Sequence, residues 1–286
     1  VRELHLFAGI GGGILGSMLL GHEPVAAVEI NPYCRQVLKA RQDDGSLPRF
    51  PIFEDVKAFD GHEWRGKVDV ISGGFPCQDI SLAGEGKGLS GDRSGLWFEM
   101  LRVVRAVEPL FVFVENAAAL RHRGLDSVLQ GLAESGFDAE WSLLSAASIG
   151  AVHRRDRMWI LGAHPDRTAR ALADASFRED FLGARRVLEA QISRTLGGHS
   201  AAVSRGKDVA VAGSSGLSQR QGQEAERALS AIGRSSWWAS EPSVGRVVDG
   251  HPGRVDRLKA LGNAQVPLCA AVAFEQLLRR FEWIPV

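Results

Sequence analysis

Leu4-His5-Leu6-Phe7-Ala8-Gly9-Ile10-Gly11-Gly12-Gly13 is a short apolar run that breaks into a cluster of glycines, and the fold is read outward from it. A brief apolar run bounded by turn residues is the pattern of a buried strand. Glycines just past a strand let the backbone turn tightly and come close to a ligand. The helix that follows then presents its free N–H groups to that ligand. Dinucleotide enzymes share this design, so the run alone does not name the ligand, and its spacing departs from GxGxxG. Further strands are expected at Pro24–Ile30, Val68–Ser72, Leu110–Glu115, Ala139–Ser145 and Met158–Ala163. Helices are expected between them at Ile14–Leu20, Pro32–Arg41, Gly95–Val107 and Asp126–Ser135, the third with Leu96, Met100, Val103, Val104 and Val107 on one face. Such alternation predicts an α/β fold with a largely parallel sheet, helices on both faces, and ligands at the carboxyl ends of the strands.

The texture changes after Pro165. Residues 166–236 are rich in Ala, Ser, Gly, Arg and Gln with weak periodicity, save a helix expected at Phe181–Ser193. Ser200–Gln223 reads as loop. Order returns at Trp237-Trp238, and Pro267–Phe281 reads as a terminal helix. The 286 residues are 45% apolar and 24% charged, the balance of an ordinary globular protein. No apolar run approaches the roughly 20 residues that span a bilayer, and no secretory signal opens the chain. Cys34, Cys77 and Cys269 are too few and too scattered for a disulfide framework or a cysteine zinc site, which points to a reducing cytoplasm and no metal. The net charge of zero hides an asymmetry. Residues 1–150 carry 14 Lys/Arg against 20 Asp/Glu, a net −6, and residues 151–286 carry the reverse, a net +6. A basic second half suits a polyanionic partner.

Four groups of residues beside the strands carry chemistry. Glu29, in Val28-Glu29-Ile30-Asn31, is placed to accept hydrogen bonds from ribose hydroxyls, and Asp55, in Glu54-Asp55-Val56, to meet an adenine amino group. Taken in order with the glycine turn, they favour an adenosine-type cofactor over two ordinary surface acids. Gly73-Gly74-Phe75-Pro76-Cys77-Gln78 then sets a thiol at the tip of a polar, glycine-rich loop beside that cofactor end. This setting suits a reactive thiolate rather than a packing cysteine, which is the reading for Cys34 and Cys269. The apolar run Leu110–Val114 ends in Glu115-Asn116, so the Glu115 carboxyl faces the same cleft as Cys77. Partial burial there favours the protonated form of a general acid. In His153-Arg154-Arg155-Asp156-Arg157, guanidinium groups precede a strand and suit a carbonyl oxygen or a phosphate.

The strings LHLFAGIGGG, VEINPY, EDV, GGFPCQ, VENA, HRRDR and RLKALGNAQVP follow one another in an order that resembles the DNA (cytosine-5)-methyltransferases of bacterial or phage type. The resemblance covers about residues 2–163 and 246–280. It implies a Rossmann-like S-adenosyl-L-methionine-dependent catalytic domain with a small target-recognition domain. Phe7, Gly9 and Gly11 would line the cofactor site, with Glu29 on its ribose and Asp55 on its adenine. Ile30 stands where an aromatic neighbour of the adenine is frequent. Cys77 would attack carbon 6 of cytosine, with Glu115 on ring nitrogen N3, Arg157 on the carbonyl O2 and Arg155 supporting the catalytic loop. Asn263 would help position Pro76-Cys77 next to the cofactor. Thiolate addition makes carbon 5 nucleophilic enough to accept a methyl group, and loss of its proton then releases the thiol. The base must leave the stack to be reached, and Ile80–Arg93, with four glycines, reads as a closing lid.

The implied organisation is a catalytic domain of residues 1–164 plus 255–286 and a recognition domain of residues 165–254. The implied partner is double-stranded DNA, bound by a monomer, with a cognate restriction endonuclease as a possible companion. Ala117 replaces a usual Val and His153 a common Gln, and the stretch that often precedes the last motif is not recognisable. Three rivals stand beside this reading: a transfer-RNA methyltransferase of the same lineage, an inactive DNA-binding relative, and a dinucleotide oxidoreductase. The second would have lost Cys77, Glu115 or the arginines, and the third leaves Pro76-Cys77 and Glu115-Asn116 unexplained.

Overall fold

The computed structural model describes residues 1–76, 95–122, 124–151, 153–182 and 254–284. Its centre is a seven-stranded sheet in the order β3-β2-β1-β4-β5-β7-β6. The strands are β1 (Arg2–Leu6), β2 (Glu23–Val28), β3 (Ile52–Phe53), β4 (Val70–Gly73), β5 (Phe111–Ala117), β6 (Asp138–Ser145) and β7 (Asp156–Ala163). β1 to β5 run parallel, whereas β7 is antiparallel to both β5 and β6. The sheet is therefore largely parallel, as expected, with β7 alone reversed and set between β5 and the edge strand β6. The apolar run Met158–Ala163 marks a buried strand but carries no sign of its direction. With β2 on one side of β1 and β4 on the other, the chain reverses its winding at β1, and the crevice of this Rossmann-like fold opens there.

Alternate residues of the central strands serve two cores, as the two-residue period of a strand requires. Val112, Val114, Met158 and Ile160 face α3 (Gly95–Val107) and α4 (Leu125–Glu134), meeting Trp97, Met100, Val104, Val128 and Leu132. Phe111, Phe113, Trp159 and Leu161 face α7 (Pro267–Leu278), meeting Ala270, Phe274, Leu277 and Leu278. Burial of whole side chains of this size stabilises by roughly 1.5–3 kcal/mol each before chain entropy is counted. The terminal helix thus closes back on the sheet. It also packs along α1 (Gly12–Leu19).

Local chemistry sets the helix ends near the crevice. Gly11 is the N-cap of α1 with φ 94°, a left-handed conformation that costs a side-chain-bearing residue energy. Asn31 caps α2 (Pro32–Asp43): its Oδ1 accepts from Tyr33 N at 2.9 Å and Cys34 N at 3.3 Å, with Pro32 at the first helical position.

The chain stays with the sheet beyond residue 164. Helix α5 (Pro165–Ala173) buries Leu172, and the helical residues 175–182 bury Phe181, whose ring stacks on Phe111 at 5.8 Å. The helix expected at 181–193 therefore begins earlier, at 175, and its remainder lies outside the described residues. So do Cys77, the 80–93 segment and residues 183–253. The motif RLKALGNAQVP forms α6 (Arg254–Asn263) and the turn into α7.

Candidate active site

The crevice is an open cleft of about 390 Å³, lined from β1 and its turn by His5–Gly9, from α1 by Gly13 and Ile14, from β4 by Ser72–Gly74, from β5 by Glu115, and from the α6–α7 turn by Asn263–Gln265. It brings Phe7, Gly9, Glu115 and Asn263 together, from three places in the sequence. Phe7 itself takes φ 54°, a left-handed conformation outside glycine's usual reserve, so the turn holds its ring at the cleft at an energetic cost. Gly9 also has a left-handed φ of 55°, and a Cβ there would meet nothing within 4 Å, which leaves the cleft side of the turn open.

Glu29 is buried at the end of β2, and backbone N–H groups hold both its oxygens. Gly9 N donates to Oε2 at 2.6 Å and Asn31 N to Oε1 at 2.8 Å. A carboxylate has about four acceptor positions, so each oxygen keeps one for a ligand hydroxyl. Ile30 beside it is 66% exposed, an apolar surface left in solvent next to the cleft turn. Arg35 Nη1 donates to the carbonyls of Glu29 and Ile30 at 2.9 and 2.7 Å and fixes this strand end. Asp55 accepts from Lys57 N at 2.9 Å in a turn of its own. Glu29, Ile30, Asp55 and Gly11 are not among the residues that line the cleft.

Glu115 is 8% exposed at the end of β5, and its Oε1 accepts from Arg157 Nε at 2.8 Å. Burial pushes its carboxyl above the ordinary carboxylate range. The Arg157 and Arg155 charges, with hydrogen bonds from Arg157 and Gln265, oppose that shift without cancelling it. Strand pairing accounts for the meeting: Glu115 lies opposite Trp159 and Ala117 opposite Arg157, so the antiparallel β7 delivers the guanidinium to the carboxyl. Arg155 has φ 39°, and its guanidinium donates to Gly262 O at 2.8 Å and Ala264 O at 2.5 Å. It thus ties the strand to the α6–α7 turn. Among the described residues, the bond to the stem of the Cys77 loop comes from Asn116, whose Nδ2 donates to the Phe75 carbonyl at 3.0 Å. Asn263 lies at the cleft margin, and Pro76 is exposed one residue before the undescribed Cys77.

Two participants were not singled out from sequence. Asn116 follows Glu115 and signals itself only through that position. Gln265 occupies the turn between two helices, where polar residues are ordinary. Among the described residues no group of His, Cys, Asp and Glu is arranged to hold a metal ion, and no helix is long and apolar enough to cross a membrane.

The site thus joins a glycine turn and a held carboxylate at the switch point of a Rossmann-like sheet to a buried acid that is paired with an arginine. Residues 1–199 match the family model described as C-5 cytosine-specific DNA methylase, and the chain belongs to that family. It is 36% identical over 169 residues to the Type II methyltransferase M.CviJI of Paramecium bursaria Chlorella virus IL3A, an alignment covering 58% of this chain and 44% of that one. It is 32% identical over 168 residues to the Type II methyltransferase M.HpaII of Haemophilus parainfluenzae, covering 56% and 45%. The chain thus spans less than half the length of these relatives. The solved S. pombe Dnmt2 methyltransferase aligns over 57% of this chain and 49% of its own, with 20% identity and a TM-score of 0.47.

Proposed function

We propose that the protein transfers a methyl group from S-adenosyl-L-methionine to carbon 5 of a flipped-out cytosine in a specific sequence of double-stranded DNA. The observation that carries this reading is Glu115, buried in the cleft that the glycine turn also lines and paired with the half-buried Arg157, beside the strand that leads to Cys77. The family model, described as C-5 cytosine-specific DNA methylase, supports the substrate class.

The residues present fit the cofactor. The open side of Gly9 leaves room for its nucleoside, Glu29 keeps acceptor positions for the ribose, and Ile30 offers an apolar face to the adenine. Asp55 is assigned to the adenine amino group. When bound, S-adenosyl-L-methionine supplies an electrophilic methyl group. The rest falls to the protein. The Cys77 thiolate adds to carbon 6 of the cytosine, and the electron pair of the ring double bond passes toward carbon 5. Glu115 donates its proton to N3, which its raised pKa favours. Arg157 holds both Glu115 and the base carbonyl O2. Once carbon 5 is methylated, water takes its proton, the C–H electron pair re-forms the ring double bond and expels the thiolate, and N3 returns its proton to Glu115.

Target recognition is assigned to the small domain implied for residues 165–254, of which the described residues 165–182 pack on the sheet. The protein is proposed to act as a monomer on DNA, as the modification partner of a restriction endonuclease.

The test is incubation of the protein with methyl-labelled S-adenosyl-L-methionine and, in parallel reactions, duplex DNA or transfer RNA, followed by digestion to nucleosides and mass spectrometry. Label in 5-methyldeoxycytidine is expected. Label only in transfer RNA, or in no nucleic acid, would overturn the assignment.

A further inference from the structure

The α6–α7 turn is pressed against the start of α1. Had Gly12 a Cβ, it would collide with the Gln265 carbonyl, and a Cβ on Gly13 would stand 2.5 Å from Gln265 Oε1. A Cβ on Gly74 would stand 2.7 Å from Glu115 Oε2 and 3.3 Å from Gln265 Nε2. The Gln265 carboxamide therefore lies between the cofactor turn and the strand that leads to Cys77. Its oxygen is toward Gly13, and its nitrogen is toward Gly74 and the Glu115 carboxyl. The glycines at 12 and 13, which sequence reading gives to the ligand, are needed by the protein's own closure as well.

The two oxygens of Glu115 have different surroundings. Oε1 is fixed by Arg157 Nε at 2.8 Å, and Oε2 is on the side of Gly74 and the Gln265 amide. Oε2 is the oxygen left for proton exchange with a bound base. We propose that Gln265 is a positioning residue for methyl transfer: its amide spans from the cofactor turn to Glu115 and holds Oε2 turned into the cleft. A filled cofactor site and a correctly aimed acid would then depend on the same turn. Arg155 secures that turn from the other side through Gly262 and Ala264. This inference rests on Glu115 being the acid that meets the base.

Two near-isosteric variants separate the amide's role from simple packing. Gln265→Met keeps the length of the side chain and removes the donor, and Gln265→Glu replaces the donor with a second carboxyl. The side-chain carboxyl of Glu115 can be followed by NMR of protein labelled with 13C-glutamate, its signal assigned by loss in Glu115→Gln. The Gln265 hydrogen bond favours the ionised carboxyl. The Glu115 titration should therefore move upward in Gln265→Met and further upward in Gln265→Glu, where like charge is added. On duplex DNA, kcat should fall roughly tenfold or more in both, as expected for a misaimed group, while the Kd for S-adenosyl-L-methionine stays within about threefold. An unmoved Glu115 titration in either variant that binds the cofactor normally would overturn the proposal. So would a cofactor Kd that weakens in step with kcat, because that is the mark of a packing role. The titration needs no methyl transfer, so the wild-type protein's failure to methylate DNA would sink the functional reading without deciding this one.

Discussion

A carboxyl at the end of an apolar strand ordinarily turns to water, yet Glu115 stays buried because Arg157 meets it across the sheet at 2.8 Å. The pair keeps the carboxyl anchored while burial raises its affinity for a proton. A general acid needs this combination at neutral pH. Glu115→Gln keeps the shape and removes the exchangeable proton. It should lower kcat by about 100-fold or more while cofactor affinity holds, as single-turnover kinetics and equilibrium binding with S-adenosyl-L-methionine would show. A variant within a few-fold of wild type would remove Glu115 from the chemistry. Glu115 was legible in the sequence because the run Leu110–Val114 is wholly apolar and ends abruptly in an acid. Gln265 was not, because its meaning depends on Gly12, Gly13 and Gly74, which only the folded chain brings to it.

At the level of elements, the strands and helices around the first glycine turn follow their apolar periodicity closely, since one face of each meets a core. The misses have physical reasons. β3 has two residues, too few for a periodicity, and α5 shows a single fully buried apolar side chain, Leu172, among Ala and Arg. A buried polar network under the cleft was also not read. Ser72 Oγ lies 2.9 Å from His5 Nδ1, Ser17 Oγ 3.3 Å from His5 Nε2, and Glu3 Oε2 2.6 Å from His22 Nδ1, so β1, α1, β2 and β4 are joined below the cofactor end. Burial pushes the His5 imidazole below its usual 6.5. Burial raises the Glu3 carboxyl, but His5 and His22 outweigh it and hold it below 4.5. Both shifts have one sign: the unfolded chain binds the extra proton, so stability is full above about pH 6.5 and declines as pH falls. His5 contributes the loss that starts at 6.5, and Glu3 adds to it below 4.5. Glu115, held above 4.5, acts in the opposite sense as pH falls toward 4.5 and offsets part of the His5 loss. Urea midpoints should therefore drop between pH 7 and 5, and His5→Gln should flatten that drop. Equal slopes in the two proteins would show that the network does not set acid sensitivity.

The molecule as a whole joins an acidic first half of the sequence to a basic second half. The first half supplies six of the seven strands and most of the cleft, and the second supplies β7. The chain then returns through α6 and α7 to complete the cleft with Asn263 and Gln265. Both parts of the sequence thus make one site. This is why motifs so far apart share a single reading, and recognition is proposed for the residues between them. The central claim is a covalent bond between Cys77 and carbon 6 of the target cytosine, made in that cleft. Its most direct test uses a duplex with 5-fluorocytosine at the methylated position, incubated with the protein and S-adenosyl-L-methionine. Fluorine blocks the proton loss that would release the thiol. Intact-mass and peptide spectrometry should then find a stable methylated adduct on the peptide containing Cys77, and none with Cys77→Ala. Protein that methylates ordinary duplex but leaves no adduct, or an adduct on another residue, would contradict the account.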